Sequence, residues 1–347
     1  SMGTIRSAPT PLSVGANVNI GDEFSEVLCF VSSPDRAAVC ACHFREALDA
    51  LGDPQKTVWI NFLAPNDDHL AEVVSKLGFH ELAVEDVFSA RSRAKVEEYP
   101  GHLFCVVPAL NLNPGADALD IINLNAFLGR NYLISAQRAP IASIRRIREE
   151  MERGDPPLLR GADFVFYRLL DGVADEYLSA TDKISEQLDG VEDRIFAKFD
   201  PQVSSAIFSL KHEAAWLRRR IAPQRGMINT LTSRSHELIS PETQVYLRDV
   251  HDHIHRVSDN LDTFHDLLQS ALDVYLALSA SRTNQVMKFL SVVGAIVLPL
   301  NVLTGLYGTN FAQLPGSGHP YGFWVFSAVL ASAAVTAILL VRSRKWL

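Results

Sequence analysis

The sequence predicts an α+β domain with a mixed sheet, followed by a long helical stalk and two C-terminal transmembrane helices. Three observations predict this. Residues 289–341 form a 53-residue stretch without one Asp, Glu, Lys or Arg. Upstream of it, apolar residues recur at alternating three- and four-residue steps from Leu247 to Leu278, the period of a helix that packs along its length. Between residues 24 and 135, β-branched and aromatic runs alternate with segments of helical period, the pattern of an α and β domain.

The chain opens with Ser1-Met2, which reads as an expression scar, and residues 1–20 form a flexible lead rich in Ser, Pro, Thr and Gly. It lacks the basic-then-apolar start of a secretory signal. Residues 21–160 make the α+β domain, with strands expected at 26–32, 57–62, 102–110, 120–128 and 132–136 and helices at 36–50, 67–77 and 81–87. Strand signals vanish after Ile141. The stalk, 161–288, belongs to helices at 163–198 and 201–227 and to a third starting at 241. Ser240-Pro241-Glu242 marks that start with an N-cap hydroxyl, a proline at the first helical position and an early acid. If continuous to Leu306 this helix is on the order of 100 Å long at its rise per residue. Such a length needs partners, and the seam of Leu247, Val250, Ile254, Val257, Leu261, Phe264 and Leu268 offers them.

A second face of the same helix differs. Steps of four and three from Asp273 reach Ala277, Ala280, Asn284, Met287, Ser291, Gly294, Leu298 and Asn301, and sevens upstream reach Asp266, Asp259 and Asp252. The stripe is acidic in the stalk and small or neutral-polar in the uncharged part. The opposite side, with Phe289, Val292, Ile296 and Leu300, is bulky and lipid-compatible.

The membrane part is residues 289–347. A hydrocarbon core about 30 Å thick needs roughly 20 apolar residues in a helix. Two such segments, 289–306 and 323–341, flank a polar turn at 307–322. Lys288 precedes the first span, Arg342, Arg344 and Lys345 follow the second, and the turn has no Lys or Arg. Both chain ends are therefore expected in the cytoplasm. Tyr307, Phe311, Tyr321, Phe323 and Trp324 would belt the outer face and Trp346 the inner one. Two buried helices of a soluble core are the competing reading.

Polar residues inside a span face a bundle interior or a water path; small ones also allow close helix packing. Two spans cannot enclose a conduit, so a pore needs a ring of subunits. In a ring, Asn301 becomes a girdle of amides and Asp273 a girdle of carboxylates, while Met287 and Leu298 become constrictions that close by dewetting. Pro299 permits a kink. Neutral oxygens suit a hard cation that keeps its water, as Mg²⁺ does.

Charge agrees. Of 32 basic residues, 29 lie before position 289 with all 40 acidic ones, leaving that part at −11. Such a surface concentrates cations and repels nucleic acid, so no nucleic-acid partner is expected. Cys29, Cys40, Cys42 and Cys105 all fall in the cytoplasmic part, where thiols stay reduced. Cys40-Ala41-Cys42 is either a soft-metal ligand pair or structural. His251 and His255 share a helix face and could hold Zn²⁺ with a third ligand, or stay solvated.

Gly308-Thr309-Asn310, closing the first span, resembles the Gly-Met-Asn signature of the CorA/ZntB superfamily of divalent-cation transporters. The resemblance continues through Thr283-Asn284-Gln285-Val286-Met287-Lys288, Pro299-Leu300, Leu272-Asp273-Val274-Tyr275, Arg248-Asp249-Val250, Lys345-Trp346-Leu347, Val84-Glu85-Asp86-Val87 and Lys95-Val96-Glu97. It implies a funnel-shaped homopentamer in the plasma membrane bilayer with its pore lined by the first membrane helix. Gly308, Thr309 and Asn310 would form the selectivity mouth, Asn310 holding the hydrated ion. Asn284, Met287, Leu290, Gly294, Leu298 and Asn301 would line the pore, joined on the stripe by Asp273 and Ser291. Asp86 and Asp249, with Glu85 nearby, would match inter-subunit carboxylates that bind a regulatory metal.

The cargo implied is Mg²⁺, with Co²⁺ or Ni²⁺. The alternative is a ZntB-type zinc transporter coupled to protons, because Thr309 stands where Met is usual and the turn lacks acids. Its Pro-Gly content and Gly322-Phe323-Trp324 also look like the ZntB branch. An anchored enzyme and a non-conducting metal sensor are the other classes. The absence of a nucleophile–base pair or a phosphate loop speaks against an enzyme.

Overall fold

The computed structural model describes residues 27–33, 38–65, 67–89, 92–111, 120–153, 156–197, 200–309, 315 and 318–343. The chain divides into two compact units, one of Ser1–Gly190 and Ala206–Leu268 and one of Val191–Ser205 and Gln269–Leu347.

The first unit carries β1 (Val27–Ser33), β2 (Ala38–Ala41), α1 (Phe44–Ala50), β3 (Thr57–Leu63), α2 (Asp67–Leu77) and α3 (Glu81–Phe88). Then come β4 (Lys95–Tyr99), β5 (His102–Leu110), β6 (Ile121–Gly129), β7 (Tyr132–Gln137) and α4 (Ala142–Glu152). A 3-10 turn, Pro157–Arg160, leads into α5 (Ala162–Ala197), α6 (Gln202–Ser233) and α7 (Pro241–Tyr307), and α8 (Gly322–Ser343) closes the chain. The seven strands form one sheet in the order β2-β1-β3-β7-β6-β5-β4. Only β3 and β7 pair in parallel, so the expected mixed sheet is found.

β3 and β5 read as continuous apolar runs because almost every residue in them is buried, as central strands covered on both faces require. Some of their polar atoms are paired inside, while Asn61 Nδ2 and His102 Nε2 are buried without a hydrogen-bond partner among the described residues. Trp59 Nε1–H donates to Ser135 Oγ at 3.0 Å, and Ser135 donates to Asn61 Oδ1 at 2.8 Å. Beneath α3, Phe79 stacks on Phe127 at 4.1 Å between centroids.

Three elements differ from expectation. The helix placed at 36–50 begins at Phe44, because Ala38–Ala41 pairs with β1 instead. β4 escaped notice because Lys-Val-Glu-Glu-Tyr carries charge at an edge of the sheet, where charge guards against further pairing. α4 was also missed: 11 residues with Ile144, Ile147 and Met151 buried on one face.

The helices are pinned to the sheet at one carbonyl. Pro108 O in β5 accepts from Tyr177 OH at 2.6 Å and Gln224 Nε2 at 3.0 Å, and Gln224 also donates to Tyr177 at 2.8 Å. Thus α5 and α6 are tied to β5 and to each other through buried groups. The start of α7 is as expected: Ser240 Oγ accepts from the Thr243 N–H at 3.2 Å. Asp163 accepts from the Ser240 N–H at 2.9 Å. Gly161 makes room for this carboxylate. Its φ is +125°, and a Cβ there would lie 2.6 Å from Asp163 Oδ1. The α7 seam packs as its period predicts, with Leu247, Val250, Ile254, Val257, Leu261, Phe264 and Leu268 all buried. α6 runs beside it, through Arg218–Asp262 at 2.5 Å and Arg225–Ser258 at 3.3 Å.

In the second unit, Val191, Ile195, Val203 and Ala271 are buried, while the ends of α7 and α8 are bare. Of the most apolar 18-residue window of each helix, 6% and 0% is buried.

Candidate ion pathway and cation sites

Both apolar helices are long enough to span a bilayer. The helices of a soluble core would be covered, and these are not. At the turn of the hairpin the two helices meet. Tyr307 lies 4.3 Å from Phe326 between ring centroids and its OH donates to Pro315 O at 3.3 Å. Leu303 and Tyr307 line a cavity of about 480 Å³ with Val325, Phe326 and Val329. The side of α7 read as lipid-compatible therefore faces α8 at this level.

The polar stripe is left open. Asp273, Asn284, Met287, Leu290, Ser291, Leu298 and Asn301 are exposed and Gly294 is half-buried. A Cβ on Gly294 would meet nothing within 4 Å, so within one chain this glycine is not there for close helix packing. Pro299 sits inside α7, near its end at Tyr307, and removes one backbone hydrogen bond there.

At the signature, Gly308 N–H donates to Thr304 O at 2.8 Å, closing the helix. The Thr309 hydroxyl donates to Leu306 O at 2.7 Å beside its own backbone N–H at 3.4 Å, so both groups of Thr309 cap one helix-end carbonyl. Asn310 lies outside the described residues, as do Phe311, Arg344, Lys345, Trp346 and the lead at 1–20.

The carboxylates expected to hold a regulatory cation lie on different elements. Asp86, on α3, is held by Lys95 and Ser92. Burial raises its pKa, but the hydrogen bonds from Lys95 and Ser92 outweigh this and leave it below the usual carboxylate range. Glu85 beside it is exposed. Asp249, on α7, is 65% exposed at its side chain, with Oδ2 3.7 Å from His253 Nε2.

His253 leads to a cluster that sequence reasoning missed. Asp171, Asp175 and His253 bring one ligand atom each to within 4.8 Å of one another. Burial first, then the Asp175 charge, raises the pKa of Asp171, although Arg168 donates to its Oδ2 at 2.8 Å. Asp175 pairs with Arg146 at 2.9 Å, and His253 Nδ1 is buried without a hydrogen-bond partner among the described residues. Two carboxylates and an imidazole are a donor set a divalent cation can use, although Arg168 and Arg146 already pair with the two carboxylates and would have to yield to it. The signal was present as Asp171/Asp175 and Asp249/His253, each one helical turn apart, but nothing in the sequence sets the register of α5 on α7.

The expected histidine pair is less suitable. His251 and His255 do lie side by side, 4.3 Å between centroids. The two rings are tilted by 49° and do not stack face to face, Arg225 Nη2 lies 3.0 Å from His255 Nδ1, and burial together with this guanidinium lowers the His255 pKa. A fixed cation there opposes a metal. Among the described residues, Cys29, Cys40 and Cys42 join no three-ligand cluster either.

An acidic α+β domain with a carboxylate–imidazole cluster, joined to two bare uncharged helices, defines a membrane-inserted protein that handles cations. The sequence model of the CorA-like Mg2+ transporter protein family matches residues 54–344, and the chain belongs to that family. It is 29% identical over 301 residues to the cobalt/magnesium transport protein CorA of Thermotoga maritima, covering 85% of each chain. The fold matches the complete CorA magnesium transporter from Methanocaldococcus jannaschii, with a TM-score of 0.78 at 20% identity, over 93% of this chain and 99% of that one. It also matches full-length CmaX, with a TM-score of 0.76 at 23% identity, over 94% and 100%. The resemblance read from the sequence is thereby established, together with the mixed sheet, the long helix and the two apolar C-terminal helices. The family is one of transporters, and divalent-cation transport is the activity this membership supports.

Proposed function

We propose that the chain carries Mg²⁺ across the plasma membrane as a homopentamer, with both termini cytoplasmic, and that it has no enzymatic role. Family membership over residues 54–344 carries this reading. The stripe from Asp273 to Asn301 gives it a physical path. In a ring, five copies of α7 turn this open face inward and surround the ion with amides, hydroxyls and backbone oxygens. Such neutral ligands replace little of the Mg²⁺ hydration shell. Asn310, flanked by Gly308 and Thr309, selects the hydrated ion at the outer mouth.

In the cytoplasmic part, residues 21–160 and the stalk of 161–288 form the sensing portion. There Asp249 with Asp171, Asp175 and His253, and Asp86 with Glu85, hold a regulatory cation. A bound cation offsets repulsion among these acids, and its loss frees the ring to open. One observation favours a second cargo. An imidazole such as His253 suits Zn²⁺ or Co²⁺ better than Mg²⁺, and Thr309 departs from the magnesium signature.

The test is uptake of Mg²⁺ and Zn²⁺ into proteoliposomes, with Asn310→Ala as control and with and without a pH gradient. Mg²⁺ uptake that needs Asn310 and ignores the gradient is the expected result. Zn²⁺ uptake that follows the proton gradient would replace this reading with the zinc one.

A further inference from the structure

Asp86 already has a cation. Lys95 leaves the edge strand β4 and places Nζ 2.7 Å from Asp86 Oδ2 and 2.8 Å from Glu97 Oε1. Ser92 Oγ donates to the other oxygen, Asp86 Oδ1, at 2.6 Å. Both oxygens of the carboxylate are thus engaged within its own chain. The lysine is itself fixed. Its ammonium lies 5.7 Å from the centroid of the Phe104 ring, and Glu97 is braced by a 3.0 Å hydrogen bond from Tyr99 OH.

A divalent cation that takes an oxygen of Asp86 meets an ammonium at the same oxygen, and two cations at that distance repel. It must evict Lys95 or bind weakly. A tethered group competes whatever the bulk concentration, so the midpoint of a cation set against Lys95 is raised by the strength of this ion pair. We propose that Lys95 is a built-in competitor for the divalent cation at Asp86 and sets the concentration at which the cytoplasmic site fills. The inference rests on the reading of Asp86 as a regulatory ligand and adds the residue that tunes it. Lys95→Arg, which keeps the charge, preserves the competition; Lys95→Met and Lys95→Gln end it.

The experiment is a Mg²⁺ titration of the purified full-length protein in detergent, read as the Mg²⁺ concentration giving half of the rise in Tm. Lys95→Met and Lys95→Gln should each lower that concentration about fivefold, the scale of one partly exposed ion pair. Lys95→Arg should leave it in place, Asp86→Asn should raise it, and adding Lys95→Met to Asp86→Asn should bring no further change. Unchanged or higher midpoints in both neutral Lys95 variants, with Asp86→Asn and Asp249→Ala still weakening Mg²⁺, would overturn the competitor and leave the site standing. A titration indifferent to Asp86→Asn and Asp249→Ala would remove the site and the inference with it.

Discussion

Glu176 shows how far one buried side chain can couple this domain to pH. Its Oε1 accepts from the Ser143 N–H at the start of α4 at 2.7 Å, while its Oε2 and Ser143 Oγ are buried without a hydrogen-bond partner among the described residues. Burial raises its pKa from 4.5 to about 7, against the pull of the Ser143 N–H and of Arg146. The folded state therefore holds the proton more tightly than the unfolded chain does. The stability this provides is fully present below about pH 4.5 and is lost as pH rises through about 7, a difference of about 3 kcal/mol. Glu176→Gln keeps the shape and cannot ionise. It should unfold at a higher temperature than wild type at pH 8 and at a similar one near pH 4.5. An equal gap at both values would show that this carboxyl does not titrate between them. Thr309 makes the complementary point. Its hydroxyl donates to Leu306 O, so this residue shapes the helix end while its oxygen lone pairs stay available as acceptors.

At the scale of elements, α7 presents two unlike faces. Its seam is buried from Leu247 to Leu268, whereas the stripe around Gly294 is open. Because a Cβ on Gly294 meets nothing within its own chain, Gly294→Leu should leave folding intact and reduce ion uptake into proteoliposomes by at least about tenfold through occlusion. Unchanged uptake with the assembly preserved would show that this face does not line the path. Both faces were legible in the sequence because they lie on one helix, where spacing alone fixes direction. α5, α6 and α8 were legible for the same reason. β2, β4 and α4 were not: each is short, and in β4 the charges of Lys95, Glu97 and Glu98 mask a strand that only pairing with β5 defines. The cation cluster was hidden by a related limit. Asp171 and His253 are 82 positions apart and meet through packing, which periodicity does not encode. The bond between Lys95 and Asp86 was hidden likewise, although both lie in motifs that carried the resemblance.

At the scale of the whole molecule, charge couples assembly to the ion. The part before residue 289 carries a net −11, so the proposed ring of five copies would gather a charge on the order of −55. Asp252, Asp259, Asp266 and Asp273 repeat along one side of α7, and neighbouring copies in a ring bring such stripes together. Two kinds of compensation are available. Diffuse counterions screen beyond about 10 Å at 0.1 M salt, whatever their identity. A divalent ion seated among Asp171, Asp175, His253 and Asp249 acts at short range, where monovalent salt substitutes poorly. Stripping divalent cations with EDTA at low ionic strength should therefore lower the Tm of the full-length protein. Millimolar Mg²⁺ should restore it fully, and NaCl at matched ionic strength only in part. Complete recovery with NaCl would assign the whole effect to screening and leave no bound ion for the cytoplasmic centre. Partial recovery, with the remainder lost in Asp171→Asn and Asp249→Ala, would locate the divalent contribution at that cluster. The same acids that draw cations toward the protein would then report their concentration to the ring.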